Sequence, residues 1–290
     1  VPLRGLGLNI KGGWVGIGMS FKDLREFISF LEEKGELRRV KTPVSRELEI
    51  TELADREMKK PDGGRALLIE QPTVNGRVSP HPVAINTMGS ARRMAMALGA
   101  ESVDAVAAEL GSLIQAKPPT GIRETFALLG QALTLRHAKP KRAKTGACKE
   151  VIHRFDAPAP RTEPWPSAPD VDDPTTLDSS PPSLLDLPIL KCWPLDGGRF
   201  LTLPCVVTRD PDTGDRNLGL YRMQVYDGQS TGMHWQLQKV AARHGRRYYE
   251  TGDRMPVAVF LGGDPVFTFC ATAPMPDGLD EFLLAGYLRR

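Results

Sequence analysis

Polar and aromatic side chains follow one another closely in residues 217–222 and again in residues 232–235. Together the two segments contain an amide, a guanidinium, an imidazole and two aromatic rings, which are groups that line binding pockets. Both segments are predicted to be short strands, and side chains alternate across a strand, so Leu218, Leu220 and Arg222 are predicted to share one face. A guanidinium at the end of an apolar row suits an anionic ligand with an apolar body, since arginine binds carboxylate or phosphate through two parallel hydrogen bonds. An ordinary hairpin with Arg222 in solvent is the alternative, and spacing alone favours it.

The composition indicates a soluble globular protein rather than a dedicated nucleic-acid binder. The chain has 290 residues, of which 41% are hydrophobic and 25% are charged, and this length is enough for two domains with a sizeable core. Its 38 basic and 35 acidic residues give a net charge of +3, which is too balanced for a nucleic-acid-binding surface. The four cysteines form no CxxC pair, so neither a zinc site nor a disulfide framework is predicted. Because no apolar run is long enough to cross a bilayer, we expect a cytoplasmic protein that contacts membranes at most peripherally.

Hydrophobic periodicity in the first half predicts an N-terminal α/β domain over residues 19–145. The first helix is predicted to begin at a Ser20 cap and to end at Gly35, and Ser90 is predicted to cap a helix that runs through Leu98. Residues 1–18 show no clear periodicity and Met19 is the expected natural start, so this segment is predicted to be a non-native or disordered extension. Further helices are predicted over residues 49–60, 103–116 and 125–137, and a buried strand over residues 66–70.

Strands dominate the second half, after a connector predicted over residues 146–190. Proline, aspartate, serine and threonine are abundant between residues 156 and 188, and such a composition favours a long surface connection. Residues 201–209 and 217–226 are then predicted to form a hairpin around the turn at residues 211–215. The remaining predictions are a strand over 232–235, a helix over 238–244, a strand over 255–261 and a last helix from about Asp277.

Several motifs, in the order in which they occur along the chain, together resemble the UbiD-like family of prenylated-FMN-dependent decarboxylases, of the 3-polyprenyl-4-hydroxybenzoate carboxy-lyase type. The resemblance covers most of the chain after Met19. Its most specific parts are Arg-Asn-Leu-Gly-Leu-Tyr-Arg at 216–222, Gly-Gly-Asp-Pro at 262–265 and Pro-Asp-Gly-Leu-Asp-Glu at 276–281. The resemblance implies an α+β fold in which the N-terminal α/β domain precedes a split β-barrel. This barrel, over residues 191–290, is similar to flavin reductases, binds FMN and is expected to be incomplete at its C-terminal end.

The resemblance also implies a cofactor site. In the family, the phosphate of prenylated FMN is bound through a divalent metal, usually manganese, with K⁺ or Na⁺ nearby. Asn217 and Glu281 match the metal ligands of the family, and Gln238 stands where the family has a histidine ligand. Arg222 matches the arginine that holds the substrate carboxylate and stabilises charge as CO₂ leaves. The positions that match contacts to the cofactor are Leu220, Tyr221, Arg222, His234, Trp235, Gln236 and Lys239.

The residues by themselves leave other interpretations open. Without the family, Glu281 is a first-turn carboxylate that complements the helix dipole, and His234 is a half-buried strand residue. Gln238 offers an amide oxygen or leaves its place to water, so the affinity and identity of the metal are open. The acid-base glutamates of the family follow the segment that ends at Arg289, and the sequence has no match for them. We therefore expect either a fragment of a longer protein or a second chain that supplies the remainder.

The predicted function is the non-oxidative decarboxylation of an aromatic or α,β-unsaturated acid. A polyprenyl 4-hydroxybenzoate of ubiquinone biosynthesis is the substrate that the resemblance suggests. The expected partners are this small-molecule acid, a flavin prenyltransferase that supplies the cofactor, and further copies of the chain in a homo-oligomer. Two alternatives are a flavin-phosphate-binding module without catalysis and a flavin reductase. The second alternative lacks support, because Gly5 and Gly7 lie outside any strand-turn-helix nucleotide motif.

Overall fold

The computed structural model describes residues 20–114, 138–153, 183–276 and 278–289. The predicted extension over residues 1–18, the helix predicted over 125–137 and residues 154–182 of the predicted connector lie outside this part of the chain. The described residues form helices together with small sheets, which confirms the mixed α and β character. The domain boundaries remain predictions. No helix among the described residues has the length and hydrophobicity needed to span a membrane.

A three-stranded sheet in the order β1-β3-β6 lies at the centre of the N-terminal region. Its middle strand β3, Ala66–Ile69, is buried along its whole length and confirms the predicted buried strand. β3 runs parallel to β1, Leu37–Val40, and antiparallel to β6, Val83–Ile85. A second sheet joins β2, Val44–Ser45, β4, Pro72–Val74, and β5, Arg77–Val78, in the order β2-β4-β5.

Four α-helices complete the described part of the N-terminal region. In the first of them, α1, the side chains of Phe27 and Leu31 are fully buried and share a core cluster with residues of β3. The predicted Ser20 cap is wrong: Asp23 is the N-cap, and its side chain accepts a hydrogen bond from the backbone nitrogen of Glu26 at 2.9 Å. Gly35 follows the helix with a φ of +71°, as a terminating glycine does. The helices are α1, Leu24–Glu33, α2, Glu49–Met58, α3, Ala91–Leu98, and α4, Val103–Ile114.

The fully buried side chain of Arg93 in α3 holds the loop that precedes β3. Ser90 caps α3 as predicted, and its hydroxyl accepts from the Arg93 backbone nitrogen at 3.1 Å. Because every nitrogen of the Arg93 guanidinium has an acceptor, its charge is compensated without water. The acceptors are the carbonyl oxygens of Asn86, Gly63 and Gly64 and the carboxylate of Glu36.

In the second half, the residues that the structure describes form two further three-stranded sheets, with the strand orders β12-β8-β9 and β11-β10-β7. β8, Cys205–Arg209, and β9, Arg216–Leu220, are antiparallel and confirm the predicted hairpin. The chain leaves this sheet after β9, so the strand predicted over 217–226 is divided between two sheets. The remaining strands are β7, Phe200–Leu201, β10, Met223–Val225, β11, Thr231–Met233, and β12, Ala258–Phe260. The described strands form no closed barrel, so the split β-barrel remains a prediction.

Residues 183–190, placed by composition at the end of the connector, are packed against both halves of the chain. Leu185 and Ile189 are buried in a cluster with Val225 of β10. The guanidinium of Arg46 donates to the carbonyl oxygen of Leu187 at 2.9 Å. The last residues before position 191 therefore join the core.

The described residues of the second half also form three α-helices: α5, Val240–Thr251, α6, Pro265–Cys270, and α7, Glu281–Leu288. The helix predicted over 238–244 therefore begins later and continues further. Asp280 caps α7, because its side chain accepts from the backbone nitrogen of Phe282 at 2.9 Å. The predicted start near Asp277 was thus too early.

The far end of α7 is anchored to the N-terminal region. Arg289 donates to the Asp264 carboxylate through Nε at 2.7 Å and Nη2 at 2.6 Å, and Nη2 also donates to the Ala97 carbonyl oxygen of α3 at 2.6 Å. The hydroxyl of Tyr287 donates to the Glu109 carboxylate of α4 at 2.7 Å. These contacts fix the helix that carries Glu281.

Gly286 lets α7 approach the chain at Ala138 closely. A methyl group at position 286 would lie 1.9 Å from the Ala138 carbonyl oxygen. We expect Gly286→Ala to lower the free energy of unfolding by about 1–3 kcal/mol, since backbone must move to admit the methyl group. Gly111→Ala in α4 is the matched control, because no described residue outside the helix lies within 4 Å of the added methyl group. Alanine should stabilise that helix by about 0.5–1 kcal/mol. Urea unfolding of both variants checks the pair, and equal effects at the two positions would contradict the packing argument.

Candidate functional site

Asn217 and Glu281 lie on the same cleft, which has a volume of about 180 Å³. Asn217 is in β9 and Glu281 is in the first turn of α7, and both side chains are buried. The two elements are joined directly, because Oε2 of Glu281 accepts a hydrogen bond from the backbone nitrogen of Leu218 at 2.8 Å. The structure thus brings together the two residues predicted to bind the metal.

The environment of Glu281 disfavours an uncompensated negative charge. Burial raises the pKa of the Glu281 carboxyl, and the bond from Leu218 and the charge of Arg216 offset only part of this effect. A divalent cation in the cleft would stabilise the ionised carboxylate by supplying the opposite charge. An amide oxygen and a carboxylate are also the ligands that hard cations prefer.

Two oxygen-bearing side chains are too few to complete the coordination of such an ion. Among the described residues, no group of three or more His, Cys, Asp or Glu side chains is arranged to hold a metal. The set formed by Asn217 and Glu281 therefore fits a cation whose remaining ligands are waters or phosphate oxygens. That is the arrangement expected for a metal that binds the phosphate of a flavin.

Gln238, the third predicted ligand, does not line this cleft. Its side chain is exposed, and Nε2 donates to Oε1 of Gln236 at 2.9 Å. The residue precedes α5, whose N-cap is Lys239. This placement gives no support to Gln238 as a direct metal ligand.

The ring of Tyr221 folds back over the end of β9. A methyl group on Gly219 would lie 2.4 Å from this ring, so the glycine in the 216–222 motif is required for the ring position. Burial raises the pKa of the Tyr221 hydroxyl, while a hydrogen bond from Asn217 lowers it. The ring also meets Trp235 edge to face, with centroids 6.4 Å apart. Two predicted cofactor contacts are therefore adjacent to each other and to a predicted metal ligand.

Arg222 lies between β9 and β10 rather than within a strand. The prediction that it shares a strand face with Leu218 and Leu220 is therefore wrong. Its guanidinium stacks over the ring of Phe200 at 4.1 Å, and Nη2 lies 3.4 Å from Oδ2 of Asp196. With 39% of the side chain exposed, Arg222 is held in place while part of it stays accessible to a ligand.

The segment after β11 lies beside Arg222. The backbone nitrogen of His234 donates to the Arg222 carbonyl oxygen at 2.9 Å. The side chains of His234, Gln236 and Lys239 are exposed, and Trp235 is half-buried. His234 is thus more exposed than the half-buried strand residue of the alternative interpretation. This segment presents polar groups at the surface next to the guanidinium.

An apolar cleft of about 480 Å³ lies beside Phe200 and was not predicted from the sequence. One wall comes from residues 81–89 of the N-terminal region and the other from residues 187–190, 200–203 and 261–263. The apolar run at 200–203 was visible in the sequence, but nothing in its spacing revealed the opposite wall. Because Phe200 contributes to the cleft and also supports Arg222, an apolar ligand body in the cleft would lie close to the guanidinium.

A buried polar row beside Asn217, two of whose members, His244 and Asp210, also line the cleft, was missed by the sequence analysis as well. Its members are Thr208, His244 and Asp210, and none is more than 8% exposed. Arg247 holds Asp210 through bonds of 2.6 and 2.5 Å to its two carboxylate oxygens. The spacing of these residues matches no motif, and only the pairing of β8 with β9 and the packing of α5 bring them together.

Comparison with protein families finds two matches along this chain. Residues 28–114 match the family model described as the 3-octaprenyl-4-hydroxybenzoate carboxy-lyase N-terminal domain, UbiD_N. Residues 167–290 match the model described as the 3-octaprenyl-4-hydroxybenzoate carboxy-lyase Rift-related domain, UbiD. The second match contains every residue of the predicted site.

Curated relatives include an uncharacterised protein of Archaeoglobus fulgidus, which is 41% identical over 273 residues, and one of Aquifex aeolicus, which is 38% identical over 272 residues. In each case the alignment covers 94% of this chain and 50% of the relative. The chain therefore spans about half the length of the curated relatives it matches.

Solved structures show the same fold at low identity. The closed form of vanillic acid decarboxylase from Sedimentibacter hydroxybenzoicus is 24% identical, with a TM-score of 0.68, over 93% of this chain and 48% of that one. The UbiD-class enzyme HmfF from Pelotomaculum thermopropionicum, in complex with FMN, is 22% identical, with a TM-score of 0.59, over 92% of this chain and 48% of that one.

Proposed function

Because the chain belongs to the UbiD family, we propose that it acts in the non-oxidative decarboxylation of an aromatic or α,β-unsaturated carboxylic acid with prenylated FMN as cofactor. The observation that carries this proposal is the position of Asn217 and Glu281 on one cleft, within the region that matches the family. The UbiD-class neighbour HmfF is described in complex with FMN and with prenylated FMN. A polyprenyl 4-hydroxybenzoate used in ubiquinone biosynthesis is the substrate we favour.

The chain contributes binding and orientation. Asn217 and Glu281 would hold a divalent cation such as Mn²⁺, which binds the phosphate of the flavin, with K⁺ or Na⁺ nearby. Leu220, Tyr221, His234, Trp235, Gln236 and Lys239 would contact the cofactor. When bound, the prenylated flavin supplies the electron sink that the loss of CO₂ requires.

Arg222 would hold the substrate at the point of bond cleavage. Its exposed guanidinium binds a carboxylate, while Phe200 and Asp196 fix its direction. The apolar cleft beside Phe200 excludes water from the apolar body of the acid. In this arrangement the carboxylate lies at the guanidinium, and the ring of the substrate extends into the cleft.

Native mass spectrometry tests the proposal most directly. The chain is co-expressed with a flavin prenyltransferase and supplied with Mn²⁺, and a mass increment for prenylated FMN plus metal is expected. A chain that binds unmodified FMN but releases no CO₂ from any aromatic acid would instead favour the flavin-phosphate-binding module. Oxidation of NAD(P)H by the flavin-loaded chain would favour a reductase.

Glu281→Gln is expected to weaken Mn²⁺ binding in the presence of FMN by about 10- to 100-fold, since the affinity of oxygen sites for hard cations depends on ligand charge. The glutamine retains an oxygen that accepts from Leu218, so the fold is preserved. Electron paramagnetic resonance of free Mn²⁺ gives the dissociation constant. Glu250→Gln on the exposed face of α5 removes the same charge away from the cleft and should leave Mn²⁺ affinity unchanged. Equal affinities for the two variants would remove Glu281 from the metal site.

A further inference from the structure

Thr208 lies directly opposite Asn217 in the hairpin of β8 and β9. Its hydroxyl oxygen accepts a hydrogen bond from Nδ2 of Asn217 at 3.4 Å, and both side chains are buried. With its nitrogen directed to Thr208, the amide has Oδ1 as the atom available to a cation.

His244 lies behind Thr208, with Nδ1 at 3.0 Å from the threonine hydroxyl oxygen. A hydroxyl has a single hydrogen to donate. The oxygen of Thr208 can accept from two donors, so the direction of its bond with His244 depends on which imidazole nitrogen carries the proton. With the proton on Nε2, Nδ1 accepts from the Thr208 hydroxyl, and the threonine oxygen can only accept from Asn217.

The charge of Asp210 favours one tautomer of His244. Its Oδ2 lies 3.8 Å from Nε2, too far for a direct hydrogen bond, but the negative charge stabilises a proton on that nitrogen rather than on Nδ1. Asp210 is itself fixed, since Oδ1 accepts from the backbone nitrogens of Asp212 and Thr213 at 2.9 and 3.2 Å, and Arg247 binds both of its oxygens. Burial also lowers the pKa of His244, although the charge of Asp210 acts in the opposite direction. In the neutral imidazole the proton is therefore placed on Nε2, toward Asp210, and Nδ1 accepts from Thr208.

We infer that Thr208 and His244 are positioning residues that fix the Asn217 amide with its oxygen toward the cleft. The two ends of an amide have nearly the same shape, so packing alone does not distinguish them. The contacts that run from Asp210 through His244 to Thr208 do distinguish the two ends. A reversed amide would place an N–H group against the cation and a carbonyl oxygen against the hydroxyl oxygen of Thr208. The role of the cation in this inference rests on the proposed function. The orientation of the amide rests on the geometry alone.

Thr208→Val and Thr208→Ser separate orientation from packing. Valine has the shape of threonine without the hydroxyl, and serine retains the hydroxyl. We expect Thr208→Val to weaken Mn²⁺ binding, measured with FMN present, by about 10- to 100-fold, as is typical for outer partners of metal ligands. Thr208→Ser should restore most of the affinity.

The same pair of substitutions in an Asn217→Asp background provides the decisive control. A carboxylate has two equivalent oxygens, so no orientation needs to be chosen. Thr208→Val should then change Mn²⁺ affinity little. A loss of the same size in both backgrounds would show that Thr208 acts only through packing, and no loss in either would also overturn the inference.

A measurement without metal separates this inference from the proposed function. In ¹⁵N-resolved spectra of the metal-free 290-residue chain, we expect the Asn217 side-chain NH₂ signals to be protected from exchange and the His244 proton to be on Nε2. Thr208→Val should shift the NH₂ signals and accelerate their exchange. Unchanged signals would overturn the inference even if Mn²⁺ binds. Absence of Mn²⁺ binding with these signals as expected would reject the metal site and leave the orientation of the amide established.

Discussion

Arg222→Ala is expected to reduce kcat/KM for decarboxylation by about 10²–10³-fold, the usual cost of removing one group that stabilises developing charge. The assay uses a polypeptide that spans the full length of the family. Bound flavin and metal should be unchanged, because Arg222 lies at Phe200 and Asp196, whereas the cation ligands lie on a separate cleft. Flavin absorbance and metal content are measured beside the rate.

Two further variants make the Arg222 result specific. Arg222→Lys keeps the charge but loses the planar two-point hydrogen bonding and the stacking on Phe200, so it should recover only a small part of the rate. Arg77→Ala removes an exposed arginine of β5 and should have the activity of the unmodified protein. An Arg222→Ala enzyme with normal kcat/KM would exclude Arg222 from the reaction.

Arg93→Met should lower the free energy of unfolding by about 3–5 kcal/mol, the range found when one partner of a buried charged network is removed. Methionine fills much of the volume of arginine but provides no donor. The carbonyl oxygens of Gly63, Gly64 and Asn86 would then remain buried without their hydrogen bonds from the guanidinium. Chemical unfolding followed by circular dichroism gives the difference.

Arg92 offers a matched control for Arg93. It is the adjacent residue, and it also pairs with Glu36, at 3.2 Å, but 67% of its side chain is exposed. Arg92→Met should therefore cost less than about 1 kcal/mol, as is usual for exposed ion pairs. If the two variants had similar stability, the loop before β3 would not depend on the buried guanidinium.

Local signals in the sequence predicted much of the N-terminal region. The cap at Ser90, the buried strand β3 and the terminating Gly35 each depend on neighbouring residues only, and the structure confirms all three. The cap of α1 was misplaced by one turn, because Asp23 offers its carboxylate to the Glu26 backbone nitrogen and begins the helix there.

Long-range contacts explain what the sequence did not predict in the second half. β9 ends at Leu220, whose backbone nitrogen donates to Ala271, and the chain then turns so that Arg222 leaves the expected strand face. Periodicity gives no information about such a break. The shared site of Asn217 and Glu281 was predicted only through family resemblance, since 63 positions separate Glu281 from Leu218, the residue whose backbone nitrogen it binds.

The anchoring of α7 has a thermodynamic consequence for the whole chain. Glu281 is at one end of this helix, and Arg289 at the other end binds Asp264 and the Ala97 carbonyl oxygen of α3. A cation that binds Glu281 stabilises only conformations in which α7 is in place, and those conformations require α3 to be folded. If a cation binds at Glu281 as proposed, its binding also stabilises this contact with the N-terminal region. Substitutions that weaken the contact between α3 and α7 enough to populate conformations with α7 displaced would then lower the apparent affinity of the cleft from a distance.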